Sequence, residues 1–146
     1  MNPYDIINPA QLSIIDDDEL IDIIGDTPKA VKGPRKPDGW DECFTLHIPS
    51  NPRDPDTKIH NGTLNINYYC PNHPDGNVDM DKHGQVVERL IELFDDNWPK
   101  IEGYKISDWS VREPLGPIPV QDNPKGESYT SLRIGFVVRK INSEVI

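Results

Sequence analysis

Between residues 68 and 84 the chain reads YYCPNHPDGNVDMDKHG, which places one cysteine, two histidines and three aspartates within seventeen positions. Side chains of these types bind metals, move protons or cap turns, and their spacing separates the three roles. A calcium loop of the EF-hand kind needs oxygen ligands at alternate positions, glycine at the sixth and glutamate at the twelfth. Counted from Asp75, Asn77 and Asp79 fit, but Met80 stands sixth and Val86 twelfth. Structural zinc takes four nitrogen or sulfur ligands, and Cys70, His73 and His83 supply three at most. The same residues make a consistent bend: Pro71 and Pro74 stop a strand, Asp75-Gly76 turns, and Asp79 or Asp81 caps a helix.

Elsewhere the chemistry is thinner. Asp56 and Lys58 have the types a metal-dependent nuclease uses, yet they lie in a loop with three prolines. His47, His60, His73 and His83 could serve as bases, but no serine stands in a Gly-x-Ser-x-Gly turn and there is no phosphate-binding Gly-x-x-x-x-Gly-Lys. No catalytic residue, metal or cofactor is therefore expected. The rival class is a metal-dependent hydrolase or nuclease working through Asp75, Asp79, His73 and His83. A small ligand-binding domain, which would be a monomer with a closed apolar pocket, is a third.

Charge narrows the partners. The net charge is −10, and residues 1–28 hold seven acids and no base. Gripping nucleic acid through its phosphates draws on lysine and arginine, so such binding is not expected. Cys43 and Cys70 fall in predicted strands of a chain without a signal-peptide pattern, which predicts two buried thiols in a reducing compartment. No apolar run approaches the roughly 18 residues of a membrane span, and the expectation is a soluble protein.

The elements that must position these residues follow from periodicity. Asn8-Pro9 predicts a helix start at 8–15, and DDELIDII a second helix at 17–24 ended by Gly25. Residues 26–42 show no period and read as an extended arm. CFTLHI, GTLNINYYC and SYTSLRIGFVVRKI alternate as strands, and 103–112 is a further strand. Over 81–98, Val87, Leu90, Ile91, Phe94 and Trp98 make one apolar stripe, the main helix. Residues 49–61 and 113–127, rich in proline, read as long loops.

The expected fold is α+β: a four-stranded, mostly antiparallel sheet with one long helix packed on one face, short N-terminal helices and long proline-rich loops. The chain divides into an acidic helical segment (1–27), a proline- and glycine-rich arm (28–42), a core domain (43–141) and a tail (142–146). Long connections are usually functional. Candidate contact residues are accordingly Asp16, Asp17 and Asp18 in the acidic segment, and Lys29, Lys32, Arg35 and Trp40 in the arm. Arg53, Asp56 and Lys58 belong to the loop 51–60, and Pro114, Leu115, Pro117 and Ile118 to the loop 114–125.

In this order of elements the chain resembles the tail terminator proteins of long-tailed bacteriophages, also called tail-to-head joining or tail completion proteins. The resemblance covers about residues 41–141 and rests on NINYYCPN, the helix ending LIELFDD, the loop EPLGPIP and the final strand SYTSLRIGFVVRK. The long loop at 49–61, the arm at 28–39 and the acidic helices depart from the more compact members. The resemblance implies a homo-oligomer, commonly a hexameric ring, on the head-proximal end of the tail tube. There it would stop tube growth, contact the tail tube protein and the head connector, and let DNA pass through its lumen without specific binding. It implies no cofactor and no catalytic step, and a place in the virion tail or neck after assembly in the host cytoplasm.

Overall fold

Strict alternation along residues 59–71 sends His60, Leu64, Ile66, Tyr68 and Cys70 to one side, all buried, and Thr63, Asn65, Asn67 and Tyr69 to the other. This strand organises the sheet. The structure, a computed structural model, describes residues 6–49, 53–54, 59–95, 97, 100–120 and 126–141. In chain order it comprises α1 (Ile7–Ile15), α2 (Asp18–Ile24), β1 (Ala30–Lys32), β2 (Cys43–His47), β3 (Arg53–Asp54), β4 (Ile59–Pro71), α3 (Met80–Phe94), β5 (Tyr104–Val111), β6 (Leu115–Pro119) and β7 (Glu127–Lys140).

The sheet has seven strands in the order β1-β2-β4-β7-β5, with β3 added to the start of β4 and β6 to the start of β7. All pairs are antiparallel except β1 with β2. The expected four-stranded sheet under one long helix is thus corrected. The three additional strands lie in segments whose composition argued for loops. Val31 of β1 pairs beside Thr45 within the aperiodic arm, and three residues are too few to show a period. Strand β6 contains Pro117 and Pro119, which sequence reading treats as breakers, yet proline is tolerated on an edge strand whose N–H side faces outward. Consistent with that, β6 meets β7 at Leu115, Ile118 and Pro119 only, with a register shift between the first two.

Helix α3 is also shorter than the predicted span. It stops at Phe94, where Asp95 is extended and the Asn97 side-chain amide donates to the Leu93 carbonyl at 2.9 Å. Acids at 95 and 96 oppose the negative end of the helix dipole, so extending the helix gains little. Trp98, assigned to its stripe, lies outside the described residues.

Every helix packs on the same face of the sheet. Val86, Leu90 and Phe94 of α3 and Ile7, Ala10 and Ile14 of α1 turn inward. They meet Phe44, Leu46, Leu64, Ile66, Leu132, Ile134 and Phe136 in one core. Each fully buried large side chain of this kind stabilises by roughly 1.5–3 kcal/mol, which makes this layer the principal source of stability. The Trp109 indole N–H donates to the Phe94 carbonyl at 2.9 Å and ties the end of α3 to β5.

Candidate functional site

The cluster at 68–84 folds as a strand, a turn and a helix start. Asp75 accepts the Asn77 backbone N–H at 2.9 Å and its side-chain amide at 3.0 Å, and Gly76 takes the positive φ of 89° that the turn requires. Asp79 caps α3 by accepting the Lys82 N–H at 3.1 Å, and its carboxylate lies 3.7 Å from His73 Nε2. His83 points away from both into the core. Its Nε2 is 2.8 Å from Ser128 Oγ and its Nδ1 2.9 Å from Thr130 Oγ1. The ring also stands edge-on to Tyr68 at 5.3 Å. Among the described residues no group of three His, Cys, Asp or Glu side chains is placed to hold a metal ion.

Burial pushes the His83 pKa down, opposed by the Asp79 and Glu42 carboxylates. The ring is therefore neutral near pH 7, with one nitrogen donating and the other accepting. A hydroxyl held by an imidazole is also how a nucleophile is activated, but Ser128 is wholly buried; His83 and Thr130, and not Ser128, border the small cleft beside the start of α3. Tyr68 continues the network by donating its hydroxyl to Glu42, which also pairs with Lys82 at 3.2 Å. Sequence reading missed Ser128 and Thr130; the available signal was two hydroxyl residues at i and i+2 on the core side of an otherwise apolar strand.

The face of the sheet opposite the helices has a different character. Two rows cross it through β2, β4 and β7: Thr45, Asn67 and Ser131 in one, His47, Asn65 and Arg133 in the other. Tyr69 and Tyr129 lie side by side at its end, with ring centroids 5.3 Å apart. Burial pushes the His47 pKa down as well. The Oδ1 atoms of Asn65 and Asn67, Nδ1 of His47 and Nε of Arg133 are buried without a hydrogen-bond partner among the described residues. Leaving such a group unpaired costs about 1–3 kcal/mol. The loop connecting β1 to β2 packs at this face, where Lys36 pairs with Glu127 at 3.1 Å and Thr45 is fully buried. Beside it Cys43 is fully buried, and its thiol is pushed up to about 11, chiefly by burial. Cys43 and Cys70 are both free.

A second feature is a small cleft of about 200 Å³ between the start of α3 and β6, walled by Met80, Gly84, Val87, Pro114 and Pro117. It falls below the several hundred Å³ usual for ligand pockets. Met80, Leu115 and Ile118 are exposed apolar side chains.

The sequence-derived contact residues do not form one patch. Asp16 and Asp18 are exposed at the α1–α2 junction. Asp17 is buried: it caps α2 by accepting the Leu20 N–H at 2.9 Å and grips Arg89 of α3 through both oxygens, at 2.9 and 2.6 Å. Its carboxyl is held below the usual range mainly by the Arg89 hydrogen bonds, so it is an internal clasp and not a free contact. Lys32 donates to the Asn8 side chain at 2.8 Å, Lys29 stands 5.8 Å from the Trp40 ring, and Arg35 is exposed. Arg53 is placed by its backbone pairing with His60, whereas Asp56 and Lys58 lie outside the described residues. Pro114 and Pro117 wall the cleft, and Leu115 and Ile118 face outward.

No protein-family model matches this chain, and a search among curated proteins finds no match. Among the described residues no helix is long and apolar enough to cross a membrane.

Proposed function

We propose that this chain is a structural subunit of a bacteriophage tail, a ring-forming tail terminator that caps the tail tube and joins the tail to the head connector. The observation that carries this is the one-sided layering. All helices cover one face, while the other keeps half-buried asparagine, histidine and arginine side chains with buried polar atoms that find no partner among the described residues. A face of that kind is completed by another protein, since buried polar groups are almost always paired. The order β4, α3, β5, β6, β7 also carries the motifs on which the resemblance to tail terminators rests.

In this role the protein works by contact and not by catalysis, assembles in the host cytoplasm and ends in the tail or neck of the virion. Surplus negative charge would keep passing DNA from adhering to the ring. The test is the mass of the purified chain by light scattering, alone and with tail tube protein. A multimer in one or both conditions is expected, and a strict monomer in both would contradict the proposal.

A further inference from the structure

Charge is sorted between the two sides of the sheet. On the helical side, residues 16–26 and 79–95 carry acids at 16, 17, 18, 19, 22, 26, 79, 81, 88, 92 and 95 against two bases, Lys82 and Arg89. Both bases are already engaged, Lys82 by Glu42 and Arg89 by Asp17, Glu19 and Glu92. Asp18, Asp22, Asp81 and Glu88 are exposed there with no base to pair with among the described residues.

The bare side is cationic along β5 and β7. Lys105 and Arg139 stand directly opposite each other in the ladder, a like-charge pair that is unfavourable on its own. The Arg112 guanidinium lies over Gly135, where an added Cβ would come within 2.9 Å of Nη2, so glycine makes the seat for it. Arg133 follows on the same side of β7, its Nε buried and without a partner among the described residues. None of these four bases forms an ion pair among the described residues. Asp108, the acid of β5, takes a hydrogen bond from Ser110 at 3.0 Å.

We infer that this cationic strip, Lys105, Arg112, Arg133 and Arg139, seats the acidic helical side of a second copy of this chain, head to tail. The inference rests on the ring-forming reading above and specifies which surfaces meet. A contact between two different surfaces of one molecule propagates in one direction and closes into a ring when the rotation closes. Complementary potentials fix register and reject wrong partners. An anionic neighbour also removes the repulsion between Lys105 and Arg139. The strip is too short, and the chain too acidic, for nucleic acid to be the better occupant.

The experiment reads the mass of the full chain by light scattering in four forms. These are the unaltered chain, a strip reversal (Lys105→Glu with Arg139→Glu), a helix-side reversal (Asp22→Lys with Glu88→Lys), and the chain carrying all four substitutions. All four positions are exposed, so each form should fold, with circular dichroism as the check. The expected result is a multimer for the unaltered chain and a monomer for each reversal alone. The multimer should return when the two reversed chains are mixed and in the chain carrying all four, an outcome misfolding cannot produce. If a reversal keeps the unaltered mass, or mixing restores nothing, the pairing of strip and helices is overturned while the ring reading stands. An unaltered chain that is monomeric alone overturns the pairing, and one that stays monomeric with tail tube protein as well overturns the ring reading too. A labelled oligonucleotide that binds the unaltered chain, and is lost on strip reversal without a change in mass, would assign the strip to nucleic acid and overturn the inference.

Discussion

On the covered face of the sheet His83 shares its two ring nitrogens with Ser128 and Thr130, Asp17 holds Arg89 through both oxygens, and the Trp109 N–H reaches the Phe94 carbonyl. On the bare face the side-chain oxygens of Asn65 and Asn67 and the Nε of Arg133 belong to half-buried residues and have no partner among the described residues. Strand β7 contributes to both sets, Ser128 and Thr130 to the first and Arg133 to the second. The difference separates a face that folding alone completes from one that, in the proposed function, association would complete. Substitutions on the two faces should therefore separate stability from assembly.

The largest separation comes from Arg89→Ala. It strands the buried Asp17 carboxylate and removes the clasp between α2 and α3, and losing one partner of a well-buried pair costs about 3–5 kcal/mol. The Arg89 side chain keeps 20% of its exposure, so screening reduces the expectation to about 2 kcal/mol. Urea unfolding of the isolated chain measures it, and replacing Asp17 by Ala in the same background should recover part of the loss. Because the Asp17 pKa is lowered in the folded state, its contribution is present above the unfolded value of about 3.9 and is lost as pH falls through the folded one.

A smaller effect sharpens the account of the covered face. The folded His83 pKa is depressed by burial, so the unfolded chain binds the proton more readily. Stability from this residue is complete above the unfolded value of about 6.5 and declines as pH falls below it, by at most about 1.4 kcal/mol per pH unit. Thermal melts between pH 7 and 5 should show this slope, and His83→Gln should flatten it.

The smallest expected change is on the bare face. Asn67→Ala removes a half-buried side chain whose oxygen has no partner among the described residues; relief of that unpaired group offsets the lost packing, and in the dilute chain the net change should stay within about 0.5 kcal/mol. The same substitution should weaken the multimer, read as a lower mass at equal concentration.

Periodicity made the covered face legible. Alternation in β4 and β7 and the stripe of α3 needed only side-chain polarity to be read, because burial on one side imposes a period of 2 on strands and about 3.6 on helices. Strands β1, β3 and β6 escaped for the opposite reason. Each is short and at an edge, held by backbone pairing to a longer strand and not by a pattern of its own, and β6 carries prolines that only an edge tolerates. The bare face was half legible. Its Thr, Asn and Tyr residues appeared as the polar side of an alternating strand, but that Arg112 lies over Gly135 and that Arg139 faces Lys105 depends on register, which no single segment encodes. Asp17 shows the converse, since a run of acids in sequence conceals that one of them turns inward to meet a residue far along the chain.

The most direct test of the bare face as a protein contact is thiol labelling of Ser131→Cys, at the β7 end of the row Thr45, Asn67 and Ser131, beside Asn77→Cys in the exposed turn before α3. The native thiols of Cys43 and Cys70 are buried and give a slow background. The account predicts that Cys at 131 labels freely in dilute solution and becomes protected at concentrations where the mass rises, while Cys at 77 labels at one rate throughout. Equal labelling of both positions at every concentration, with the mass of the assembled form already reached, would contradict it.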